Sequence, residues 1–97
     1  MSTFYVHNLS EGSRPAPSGY SSWIDYWEKK TGLKAGKCHY CGCNNAATDG
    51  GHVQLKDQGN DAWYIVPLCH YHNCQFGKDF YVTGPLVPVN QNYPILW

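Results

Sequence analysis

Lys37-Cys38-His39-Tyr40-Cys41-Gly42-Cys43 and Leu68-Cys69-His70-Tyr71-His72-Asn73-Cys74 are the two stretches that decide how this chain folds. Each carries a Cys followed, after two intervening residues, by a second soft donor: Cys38-x2-Cys41 in the first and Cys69-x2-His72 in the second. That spacing lets a tight turn, or the first turn of a helix, aim both side chains at one point, and zinc takes four such donors in a tetrahedron. Gly42 supplies the left-handed backbone that a metal knuckle needs. Cys43 competes with Cys41, because Cys38-x4-Cys43 across Gly42 is also a workable knuckle. Cys41 is the preferred ligand and Cys43 the competing one. A helix N-terminus at Cys69 adds amide donors and partial positive charge, which favour thiolates. The expected centre is therefore one structural zinc ion held by Cys38, Cys41 (or Cys43), Cys69 and His72. Cys74 reads as a thiol on the helix, and His39 and His70 as neighbours of ligands or surface residues.

Between the two stretches lies the pattern of an antiparallel hairpin. Asp49-Gly50-Gly51 leads into a strand at His52-Val53-Gln54-Leu55, Lys56 to Asp61 is a polar turn with Gly59-Asn60, and Trp63-Tyr64-Ile65-Val66 is a second strand. Pro67 ends that strand, and a short helix runs from about Leu68 to Phe76-Gly77. Upstream, residues 21–31 predict a helix. Ser22 is its N-cap with Asp25 three residues on, Trp23, Tyr26, Trp27 and Lys30 share one face, Lys29 and Lys30 suit the last turn, and Gly32 stops it. Downstream, Phe80-Tyr81-Val82 and Leu86-Val87-Pro88-Val89 predict short strands on either side of Gly84-Pro85. Residues 1–18 read as a flexible N-terminal arm with linker composition at 13–19, in which Phe4-Tyr5-Val6 offers a weak edge-strand signal. Residues 19–97 read as one zinc-binding domain. The fold class is α+β: a small zinc-stabilised treble clef of knuckle, hairpin and short helix, with an N-terminal amphipathic helix and short C-terminal strands.

On the Cys pair, Gly50-Gly51-His52-Val53 and Tyr64-Ile65-Val66-Pro67-Leu68-Cys69-x2-His72-Asn73, the chain resembles the HNH endonuclease superfamily over residues 38–77. The resemblance implies that His52 activates water as a general base, and that Asn73 helps hold a second, catalytic divalent cation at the scissile phosphate. Two positions depart from that pattern. Gly51 precedes His52 where such enzymes often carry an acidic or other polar ligand, and aromatic Tyr64 stands where a middle Asn is expected, with Asn60 and Asp61 the nearest polar residues. The resemblance therefore implies contact with DNA or RNA with weak or lost phosphodiesterase activity. The alternatives are an active metal-dependent nuclease and a non-catalytic protein-interaction module on a zinc scaffold.

Composition bounds these readings. The chain of 97 residues has seven basic and seven acidic side chains, so it shows no general basic excess for gripping phosphates. Lys29, Lys30, Lys34 and Lys37 form a local cluster that reads as a solvated helix end. A chain this short has a thin core and gains from a metal staple, and its 8 Tyr and 4 Trp make that core aromatic. No signal peptide or apolar run long enough to span a bilayer is visible, which suggests a cytoplasmic protein with no membrane partner. In a reducing compartment five Cys favour thiolate ligands over disulfides.

Overall fold

The computed structural model describes residues 2–9, 14–57 and 62–97. Helix α1 spans Trp23–Thr31. The Ser22 hydroxyl accepts from the Asp25 amide at 3.0 Å, and the Asp25 carboxylate accepts in return from the Ser21 amide at 3.0 Å. Gly32, at φ 75°, closes the far end with its N–H on Glu28 O. Trp23, Tyr26 and Trp27 form the buried stripe, each contributing on the order of 2 kcal/mol by leaving water. Their polar tips are satisfied as well: Tyr26 Oη donates to Pro88 O at 2.8 Å, and Trp27 Nε1 donates to Pro85 O at 2.9 Å. The stripe packs with Ala35, Ile65 and Val87 into a core on one side of the sheet. Gly50 permits this approach, since a Cβ there would lie 2.4 Å from Trp23 Cβ.

The sheet has five strands in the order β4-β1-β2-β3-β5: β1 Thr3–Asn8, β2 Asp49–Leu55, β3 Tyr64–Leu68, β4 Asp79–Thr83 and β5 Val87–Pro88. All pairings are antiparallel, with Gly51 opposite Val66 and His52 opposite Ile65 in the central hairpin. Alternation then sorts the side chains. Val53, Tyr64, Val66 and Leu68 join Val6, Phe80, Val82, Leu86, Cys38 and Cys69 in a second core, while Ile65 turns to α1. The turn expected at Lys56 to Asp61 falls at residues 58–61 outside the described residues.

Residues 3–8 correct the expectation of an arm. They form β1, which pairs with β4 on one side and β2 on the other and so is not an edge strand. The reason lies in the alternation of Phe4, Val6 and Asn8 with Tyr5 and His7: Val6 and Asn8 are fully buried, a pairing partner that local sequence could not reveal. Helix α2 is also shorter than expected. It spans His70–Asn73 with Cys74 as its C-cap. Its open carbonyl end is held by Asn8, whose Nδ2 donates to Asn73 O at 3.0 Å and Gln75 O at 2.9 Å. Among the described residues, no helix is long and apolar enough to cross a membrane.

Candidate metal centre

Four donors from two separate segments converge: the Sγ atoms of Cys38, Cys43 and Cys69 and a ring nitrogen of His72 all lie within 4.8 Å of one another. His72 Nδ1 stands 3.2 Å from Cys69 Sγ and 3.7 Å from Cys38 Sγ, and the Cys43 and Cys69 sulfurs are 4.0 Å apart. A tetrahedral zinc ion with ordinary bond lengths would set N···S near about 3.6 Å and S···S near about 3.8 Å. The donor set therefore fits such an ion, with all four positions supplied by the chain. The five cysteines are free thiols, with no disulfide among them.

The knuckle closes on Cys43 and leaves Cys41 out of the cluster. The Cys43 amide bonds back to Tyr40 O at 3.0 Å, and Gly42 takes the left-handed conformation at φ 87°. Cys41 is drawn the other way: its amide donates to Tyr81 O on β4 at 3.1 Å, and it lines a hollow with Tyr5, Tyr40, Phe80 and Tyr81. The preference for Cys41 is corrected accordingly. The opposite end of the knuckle is tied to the hairpin by His39 N–H on Pro67 O at 2.9 Å.

His72 is oriented by Tyr40, whose ring stacks on it at 3.7 Å between centroids and 8° between planes. Burial lowers the pKa of His72 and so favours its neutral, ligating form. Burial pushes the Cys38 thiol up to about 12. Cys69 moves down despite its own burial, through hydrogen bonds from the His72 backbone and from Asn45 Nδ2. Without a cation, then, the cluster does not hold three thiolates at neutral pH. A bound divalent ion supplies the positive charge that lets them deprotonate.

The residues that the HNH likeness singled out are not brought together. His52 is 0% exposed, neither ring nitrogen has a hydrogen-bond partner among the described residues, and Trp23 meets it edge-on at 4.7 Å. Burial, with the positive charge of Arg14 adding to it, lowers its pKa to about 4. Asn73 stands across the sheet, with its Oδ1 3.2 Å from where a Cβ on Gly51 would be. Gly51 and His52 are neighbours on β2 and so face opposite sides. Asn73 instead donates to Asp49 Oδ2 at 3.0 Å, and His70 Nδ1 lies 3.0 Å from the same oxygen. Burial raises the Asp49 pKa, but the bonds from His70, Asn73 and Thr48 outweigh it and hold the carboxyl below its usual range. Asp49, His70, Asn73 and Cys74 line an open cleft of about 650 Å³ beside α2, and His52 is not in its wall. The sequence reading missed Asp49 and His70. The signal for Asp49 was its parity with Gly51 on one strand, and for His70 its i, i+4 relation to Cys74.

Fold and site together define a small α+β domain with an antiparallel sheet and a Cys3His cluster suited to a metal ion. Compared with protein-family models, with curated proteins and with solved structures, the chain shows no significant match.

Proposed function

We propose that this chain is a treble-clef domain of HNH-like design whose zinc ion is structural, and that it contacts nucleic acid with its phosphodiesterase chemistry weak or lost. The observation that carries the reading is the closed donor set of Cys38, Cys43, Cys69 and His72: with four protein ligands no coordination position is left for substrate or water, which is the mark of a structural zinc. Knuckle, hairpin and α2 follow one another in the order a treble clef requires. His52 could serve as a base only if it reached solvent, and it is sealed beneath Trp23. An acidic ligand at position 51 would have to displace the buried Leu68 side chain, whose Cδ1 lies 2.5 Å from where its Cβ would be. Nucleic-acid contact rests on the likeness over residues 38–77.

Purified protein should carry one equivalent of zinc by elemental analysis. Plasmid incubated with Mg²⁺, Mn²⁺ or Ni²⁺ should show no cleavage that His52→Ala removes; His52-dependent cleavage would restore the active-nuclease reading. Oligonucleotide binding that weakens with salt supports nucleic-acid contact, and no binding at low ionic strength argues against it.

A second reading, a protein-interaction module on a zinc scaffold, is favoured by one feature. A largely apolar hollow of about 550 Å³ is walled by Trp27, Leu33, Ala35, Pro85 and Trp97, with Leu33 and Trp97 themselves exposed. The balanced charge suits a protein partner better than a phosphate backbone.

A further inference from the structure

We propose, resting on the protein-interaction reading, that the hollow beside the end of α1 receives a segment of a partner protein in which a large apolar side chain is flanked by Asp or Glu. The floor of the hollow is built before anything enters it. Trp27 Nε1 donates to Pro85 O at 2.9 Å, and the Trp27 ring meets His39 edge-on at 5.2 Å. His39 Nδ1 lies 2.9 Å from Thr83 O, and a carbonyl only accepts, so that nitrogen donates. The Thr83 amide donates to His39 O at 2.8 Å. At the open side Leu33 and Trp97 stand 46% and 60% exposed, and reciprocal backbone bonds between Leu86 and Leu96 hold the segment that carries Trp97. A volume of about 550 Å³ falls in the range of binding pockets, roughly 300–1,000 Å³. Walls tied to one another leave little ordering to be done on binding, and that ordering is a large part of what association costs.

Charge at the rim selects the segment. Lys34 and Lys37 line the hollow and are exposed. Neither has an ion-pair partner among the described residues, whereas Lys29 is paired with Asp25 and Lys56 with Asp79. Among the described residues, no Asp or Glu stands in the wall. Glu28, the acidic residue nearest in sequence, accepts from Ala35 N–H at 2.8 Å. Uncompensated cations beside an apolar floor thus make a locally positive patch on a chain whose charges otherwise balance. Carboxylates on either side of an apolar anchor answer that patch, while a basic segment is repelled by it. The same lysines attract phosphate, but the wall is largely apolar and only Lys34 and Lys37 border it, which suits an anchored side chain better than a nucleic-acid backbone.

The test follows amide and indole NMR shifts of the full, zinc-loaded chain titrated with synthetic peptides: Glu-Asp-Leu-Phe-Asp-Glu, its basic counterpart Lys-Lys-Leu-Phe-Lys-Lys, and Glu-Asp-Ser-Ser-Asp-Glu, which lacks the anchor. The acidic apolar peptide should shift Leu33, Thr83, Gly84 and the Trp27 and Trp97 indoles, and at low salt it should bind roughly tenfold more tightly than either control. Lys34→Glu with Lys37→Glu should reverse the preference between the acidic and basic apolar peptides, and Trp97→Ala should weaken binding by roughly tenfold. These side chains are exposed, so the variants should keep their zinc and melt like the parent chain. Lys34→Glu alone, farther from Cys38 than Lys37 is, carries the charge test should the double variant lose its metal. Equal binding of the acidic and basic peptides, a preference that survives charge reversal, or no shift around the hollow at millimolar peptide overturns the proposal. So does an oligothymidylate that displaces the acidic peptide from these same residues at lower concentration, which would assign the surface to nucleic acid. Peptide-induced shifts confined to another surface would overturn this site and keep the interaction reading, whereas no shift anywhere with any of the peptides would count against both.

Discussion

The choice between Cys41 and Cys43 shows what a residue's neighbours decide that its spacing does not. Cys38, Cys69 and His72 were readable because each x2 or knuckle spacing is local. Which Cys completes the set depends on a hydrogen bond from Cys41 to Tyr81 O, forty residues away on β4, and no local pattern encodes it. Cys43→Ser should therefore lose the metal and cost more than about 4 kcal/mol of stability, the range reached when a metal is lost. Cys41→Ser should stay within about 0.5 kcal/mol. Zinc stoichiometry and urea unfolding of the two variants check this, and equal losses would count against the assignment. His52 makes a second prediction. Its folded pKa, about 4, lies below the ordinary value of 6.5, so the unfolded chain takes up a proton first as pH falls. Stability from this residue is complete above about 6.5 and is lost down to about 4, on the order of 3 kcal/mol across the window. His52→Leu removes two buried polar atoms that have no partner among the described residues and should be neutral or stabilising at pH 7. Its denaturation free energy should also fall less between pH 6.5 and 4 than that of the parent chain. A larger acid loss in the variant would contradict the burial argument.

At the scale of elements, α1 was legible and β1 was not, for one physical reason. A helix with Ser22 at its start, Gly32 at its stop and an aromatic stripe between carries its signals within itself. A strand carries only alternation, and Thr3–Asn8 gains its meaning from β4 and β2, more than forty residues on. The same long reach explains why Asn8 went unnoticed. It is fully buried, and its amide holds the carbonyl end of a four-residue helix that cannot stabilise itself. His72 belongs to that helix, so β1 acts on the metal centre without touching it. Asn8→Ala should cost about 1–3 kcal/mol, the penalty for leaving buried carbonyls unpaired. It should also weaken zinc retention in a chelator competition while leaving the Trp fluorescence of α1 near that of the parent chain. Unchanged zinc affinity would separate the clamp from the metal site.

For the whole molecule, the place of the Cys3His cluster decides what an ion bound there would hold together. One core lies between α1 and the sheet, and the other surrounds Cys38 and Cys69 on the opposite face. Both share β3, since Ile65 belongs to the first while Tyr64, Val66 and Leu68 belong to the second. A domain of this size is stable by about 5–15 kcal/mol, whereas a structural zinc binds with an apparent 10–16 kcal/mol. On the proposed zinc reading, removing the ion would withdraw a term as large as the whole margin, and the shared strand would carry the loss from one core into the other. Strong chelation should therefore abolish near-ultraviolet circular dichroism from both cores in one transition, including the Trp23 and Trp27 signals beneath α1. Restoring zinc should bring them back together. Refolding on zinc should release protons, because the thiols of the unfolded chain, with ordinary pKa values near about 8.5, are protonated at neutral pH and bind the ion as thiolates; calorimetry in buffers of different ionisation enthalpy reads that number. A chelated chain that kept its Trp signals while losing only those of Tyr40 and Tyr64 would mean that α1 and its core stand without the ion. The metal would then be a local staple, not the organiser of the fold.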